Sequence, residues 1–144
     1  MKRFIIAAAL VAVGVTTAFA GPIEDRQALM KAMAKNTKEA AAYAKGEAPF
    51  DAAKVKTLLQ VYVDDAAKLP TLFPDDSKTG GTDPTTASPK IWADMAGFKA
   101  NAAKLSADAT AAMAATDQAT FAKAFGTLAA NCNACHGAFR VKKD

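Results

Sequence analysis

Two cysteines and a single histidine are all the chain carries among its 144 residues. That scarcity excludes much chemistry. A structural zinc site draws four ligands, usually Cys or His, and three such residues fall short. Thioredoxin-like C-x-x-C redox pairs sit beside a βαβ pattern, and this chain has no strand pattern at all. A plain structural disulfide between the two thiols has nothing else in the sequence to favour it. No Ser-His-Asp or paired-carboxylate arrangement is present, and the carboxylates fit solvated helix faces and caps. Basic runs interleaved with aromatics are also missing, which argues against nucleic acid as a partner. The longest apolar run, Phe4 to Val15, is shorter than the ~20 residues that span a bilayer, so no stable membrane insertion is expected.

What the chain does have is the run Cys132-Asn133-Ala134-Cys135-His136. C-x-x-C-H is the attachment signature of c-type haem. Two thiols three residues apart lie on one helical face and can form thioethers to the two vinyl groups of one porphyrin. The adjacent His136 then offers an imidazole nitrogen to the iron. Every cysteine and the only histidine of the chain fall inside this motif. One haem c, held through Cys132 and Cys135, is therefore the expected cofactor.

Residues 1–20 read as a cleaved signal peptide. Lys2-Arg3 is a basic start, Phe4 to Val15 an apolar middle and Ala18-Phe19-Ala20 a small-residue cleavage site. The mature domain then covers residues 21–144 and begins at Gly21. Haem c is attached outside the cytoplasm, so export and the haem motif support each other, and the periplasm is the expected compartment. Cleavage takes the formal charge from +4 to +2, from 16 basic and 14 acidic residues. Lys142 and Lys143 at the end either steer an anionic redox partner or form a solvated, frayed terminus.

The length suits one domain. Good helix formers dominate, Ala above all, with Leu, Met and Lys. The periodicity predicts four helices. The first runs from about Ile23 to Lys45 with Leu29, Met33, Thr37, Ala40 and Ala44 on one face and Gly46 as its stop. The second starts at the N-cap Asp51 and ends before Pro70, with Val55, Leu58, Leu59, Tyr62, Val63 and Ala66 as its stripe. A long connection, Leu69 to Pro89, holds four prolines and Gly80-Gly81 and is the kind of loop that is often functional. Leu69, Leu72 and Phe73 are expected to pin its start to the core. The third helix opens with Ser88 and Pro89, carries Ile91, Met95, Phe98, Leu105 and Met113, and continues to about Ala115. In the fourth, Phe121, Phe125, Leu128, Cys132, Cys135 and Phe139 step by three and four, so the thiols share a stripe with core phenylalanines. The fold class is all-α: an antiparallel four-helix bundle with haem c attached to the C-terminal helix. Small alanines leave room for the cofactor, and without it the room is a void, so the apo chain is expected to fold poorly.

These residues resemble a known family. Arg26-Gln27-Ala28-Leu29-Met30-Lys31, Leu69-Pro70 through Leu72-Phe73-Pro74, Pro89-Lys90-Ile91-Trp92 with Phe98, and Cys132 through Arg140 together look like a class II cytochrome c, the group of cytochrome c′ and its low-spin relatives. The C-terminal position of the motif discriminates, since class I cytochromes c carry theirs near the N-terminus. The resemblance implies His136 as proximal iron ligand and Arg140 as a basic residue on that side. It places Arg26 and Gln27 close to the haem, where a guanidinium can meet a propionate. Met30 falls where the family faces the open side of the iron. In the low-spin branch a Met there is the sixth ligand; in cytochrome c′ the position is non-ligating. The Arg-Gln-Ala-Leu-Met-Lys context looks more like the low-spin branch. The resemblance thus implies a periplasmic electron carrier, not an enzyme, with His136 and Met30 on the iron and a periplasmic redox protein as partner. Its alternative is a five-coordinate cytochrome c′ that binds nitric oxide or carbon monoxide. A peroxidase has no distal histidine here. Family members often pair through their first two helices, which makes a homodimer a further expectation.

Overall fold

The first helix, α1 (Pro22–Lys45), shows why these residues fold as they do. Proline in its first turn lacks only an N–H that would go unpaired anyway. Glu24 and Asp25 complement the positive end of the helix dipole. Gly46 ends it at φ 74°, a left-handed conformation that costs glycine little. There Gly46 N–H donates to Tyr43 O at 3.2 Å and Glu47 N–H to Ala42 O at 2.9 Å, closing the last turn. The computed structural model that places these elements describes residues 21–141. The segment read as a signal peptide, with Lys142 and Lys143, lies outside the described residues.

The second helix, α2 (Ala52–Lys68), is capped by Asp51, whose carboxylate accepts from the N–H groups of Ala53 and Lys54, each at 3.0 Å. Two short 3-10 turns, Leu69–Leu72 and Asp75–Ser77, then punctuate the long connection. Leu69 and Phe73 are buried and Leu72 half-buried, so the start of the loop is pinned as expected.

The expected third helix is two. A single turn, α3 (Lys90–Ala93), is separated from α4 (Met95–Ala112) by Asp94 at φ −132°, ψ 58°. The Asp94 carboxylate accepts from Gly97 N–H at 2.9 Å and so starts a new helix rather than continuing the old one. Ile91 and Phe98, on either side of the break, are both buried. The helix also stops at Ala112, short of Ala115. The last helix, α5 (Gln118–Phe139), opens with a capping box: Asp117 accepts from Thr120 N–H at 2.8 Å, and Asp117 N–H donates to Thr120 Oγ1 at 3.4 Å.

The four long helices form a closed ring of neighbours. α1 packs on α2 and α5, and α4 packs on the same two. Each neighbour runs antiparallel, so the starts of α1 and α4 and the ends of α2 and α5 share one end of the bundle. Val55, Leu59, Tyr62, Phe121 and Leu128 are the largest fully enclosed side chains. The Tyr62 hydroxyl donates to Thr37 Oγ1 at 2.8 Å, which in turn donates to Met33 O at 2.8 Å, so this core phenol is satisfied across α1 and α2. Among the described residues the only β-type pairing is one isolated bridge between Ala87 and Arg140.

Candidate haem site

Helical spacing brings the attachment motif to one side of α5. Cys132 and Cys135 are half-buried and pack against the core. Burial pushes both thiols above their ordinary pKa, and Cys135 feels Cys132 as well. His136 is more exposed. Partial burial still draws its pKa down, and the nearby Arg140 cation draws it down further. An imidazole held unprotonated keeps a lone pair free for a metal.

A cavity of about 580 Å³ opens beside this motif at the shared end of the bundle. α5 contributes Cys135, His136, Phe139 and Arg140 to its wall; α1 contributes Arg26, Gln27, Met30 and Lys31. Phe73, Ile91 and Phe98 supply an apolar back. Five consecutive loop residues, Asp83 to Ala87, complete the lining. Six of the seven residues singled out in the sequence therefore border one cavity: Arg26, Gln27, Met30, Cys135, His136 and Arg140. Cys132, one turn earlier on α5, packs against the core instead of lining it.

These residues fit a haem. The volume lies in the ordinary range for small-molecule sites, the back wall is apolar, and Arg26, Lys31 and Arg140 bring basic side chains to the lining. The donor set is two thiols for the covalent bonds and an adjacent imidazole for the iron.

A family model described as Cytochrome C' matches residues 21–140. The chain belongs to the cytochrome c′ family. It is 49% identical over 122 residues to cytochrome c′ of Rhodopseudomonas palustris, covering 84% of this chain and 82% of that one. It is 44% identical over 126 residues to cytochrome c-556 of Agrobacterium fabrum, covering 86% and 84%. The solved structure of cytochrome c′ from Rhodopseudomonas palustris superposes with a TM-score of 0.79 at 48% identity, covering 85% of this chain and 98% of that one. The cofactor of the family is one covalent c-type haem, and this chain has the thiols and histidine that attach it.

Arg26 occupies the cavity wall in a way the sequence did not disclose. It is 4% exposed. Its guanidinium donates to Leu72 O at 3.2 Å, Ser77 Oγ at 2.9 Å, Ser77 O at 2.8 Å and Thr85 Oγ1 at 3.0 Å. It also lies 4.6 Å from the centre of the Phe73 ring and 5.7 Å from that of Trp92. Burial lowers its pKa and Glu24 partly offsets this; an arginine nevertheless stays charged. Gln27 Nε2 donates to Asp83 O at 3.2 Å. Both residues thus hold the long loop while facing the cavity. Ser77, Thr85 and the loop lining were missed; the available signal was the length and composition of the loop itself.

Proposed function

We propose that this protein is an exported, periplasmic electron carrier whose haem iron is ligated by His136 and Met30. The observation that carries this reading is the position of Met30. Among the described residues it is the one methionine on the cavity lining, half-buried on α1, the helix packed against the α5 that bears His136. Met33 is enclosed in the core, and Met95 and Met113 pack against it.

The haem, when bound, supplies a one-electron ferric–ferrous couple. The chain's own residues do the rest. Cys132 and Cys135 anchor the group to α5. His136 presents an unprotonated nitrogen, favoured by burial and by Arg140. Met30 offers an uncharged, polarisable sulfur whose donor strength does not change with pH. Phe73, Ile91, Phe98 and Phe139 give the site an apolar side, which favours small reorganisation on electron transfer. The partner is a redox protein of the same compartment, and no helix among the described residues is long and apolar enough to cross a membrane. Pairing of two copies through α1 and α2 belongs to the same proposal.

The 49% identity to a cytochrome c′ favours a second reading, in which Met30 only caps the iron and a diatomic gas binds there. Optical spectra with and without carbon monoxide separate the two. Ligation by Met30 yields sharp reduced bands, a weak sulfur-to-iron band in the oxidised protein and no response to carbon monoxide. Met30→Ala then abolishes the sulfur band and admits the gas. A broad high-spin spectrum that shifts with carbon monoxide in the unmutated protein overturns the electron-carrier reading.

A further inference from the structure

The loop segment from Thr82 to Ser88 is bonded at both ends to the helices that flank the cavity. On the α1 side, the Glu24 carboxylate accepts from Thr82 N–H at 2.8 Å, Gln27 Nε2 donates to Asp83 O at 3.2 Å, and Arg26 donates to Thr85 Oγ1 at 3.0 Å. On the α5 side, Val141 N–H donates to Thr86 O and Ser88 N–H to Phe139 O, each at 2.9 Å. Between these anchors, Asp83 to Ala87 line the cavity. The segment is therefore a strap that ties the helix of Met30 to the helix of His136.

The two anchorages differ in kind. The α5 side is backbone to backbone. The α1 side is made by side chains, and its centre is a buried cation. Among the described residues Arg26 forms no ion pair; all four of its hydrogen bonds end on neutral oxygens. Beyond the Phe73 and Trp92 rings its donors rely on these oxygens, and a lost partner leaves a charged donor unsatisfied. Thr85 does double duty, since its Oγ1 also accepts from Ala87 N–H at 3.2 Å and so shapes the strap itself.

We propose that Arg26 and Thr85 are positioning residues that hold the strap closed over the cavity and thereby set how readily an external ligand reaches the iron. Neither has to touch the iron for this. They act by fixing the spacing of α1 and α5 at the site. The inference rests on the haem reading but not on ligation by Met30. If Met30 is a ligand, the strap keeps it in place; if it is not, the strap governs entry of the gas.

The test uses the holoprotein and two substitutions at one position. Thr85→Val keeps the shape and removes the oxygen; Thr85→Ser keeps the oxygen. Amide exchange across residues 82–87 and the rate at which the ferrous protein takes up carbon monoxide, zero where Met30 stays on the iron, are measured for each. Loss of a hydrogen bond to a charged group predicts exchange faster by about tenfold or more in the valine variant, and a carbon monoxide rate raised in step. The serine variant stays at the unmutated values on both. Arg26→Lys, which keeps the charge but not the fork of donors, moves both in the direction of valine. Faster exchange at an unchanged gas rate overturns the proposal, as does a valine variant that matches the unmutated protein on both readouts. If the unmutated protein already binds carbon monoxide, the electron-carrier reading falls while the valine–serine contrast in rate still decides this one. Should Thr85→Val not fold, Gln27→Ala removes only the bond to the Asp83 carbonyl and is read the same way, with a smaller shift expected.

Discussion

The two ends of the bundle are built on different principles. Aromatic rings pack at both ends, but the polar bonds that close the two ends differ in reach. At the cavity end Phe98 meets Phe73 and Phe139 edge-on, with ring centres 4.8 Å and 5.4 Å apart; at the far end Phe50, Phe121 and Phe125 pack in sequence with tilted rings, their centres 6.1 Å and 5.6 Å apart. Asp51, Gly46 and the Asp117–Thr120 box close the turns there within a few residues of chain. The cavity end is closed by polar bonds between distant parts of the chain, centred on Arg26, around a space left open for a cofactor. One end is made to stay shut and the other to receive something. Local closure and long-range closure are thus separated along the long axis of the molecule.

That separation can be broken from the locally closed end. Phe121 is completely enclosed. Phe121→Ala is expected to cost about 4 kcal/mol in denaturant unfolding and to leave the optical spectrum of the folded holoprotein unchanged. A spectral change would mean that the two ends are coupled. A smaller effect is expected from Asp51→Ala, which removes the cap of α2 and should cost about 1 kcal/mol without altering amide exchange in the strap.

The smallest effect is a pH dependence with one carboxylate at each end. Glu24 is held below its ordinary pKa, chiefly by the Thr82 N–H, and Asp117 below its own, chiefly by the Thr120 N–H. Both folded pKa values are depressed, so what these groups add to stability is present above their unfolded values of about 4. It is lost as pH falls through the lower folded values. Protection of the Thr82 and Thr120 amides, relative to their intrinsic exchange at each pH, should fall together on acidification. Glu24→Gln should abolish the acid response at Thr82 and leave that at Thr120 intact.

The same contrast explains what could be read from the sequence. Asp51, Gly46 and Asp117 act over two to five residues, so their roles follow from local chemistry alone. The stripe of Phe121, Phe125, Leu128 and Phe139 is buried as the periodicity implies. The attachment motif is contiguous and needs no fold to be recognised. Asp94 was missed because Ile91, Met95 and Phe98 keep helical spacing straight through the break. A carboxylate competing for Gly97 N–H leaves no mark on an apolar pattern. Buried polar residues were missed too. Asn36 donates to Leu58 O at 2.8 Å and Asn131 to Asp108 Oδ2 at 3.3 Å, across helix pairs. The bonds of Arg26 reach partners 46 to 59 residues away. Nothing in the local spacing announces such pairings.

Those separations bear on the order in which the chain assembles. Contacts between remote residues wait on loop closure, whereas turns closed within a few residues form early. The caps at Asp51 and Asp117 can therefore set the far end while Arg26 is still searching for Ser77 and Thr85. In that order of events Cys135 and His136 would stand on a formed helix before the strap lies beside them. Covalent attachment needs such a moment, since a bulky group must be brought to two thiols from outside. Closure of the Arg26 network after the helices form would leave the thiols within reach of such a group until the strap is in place.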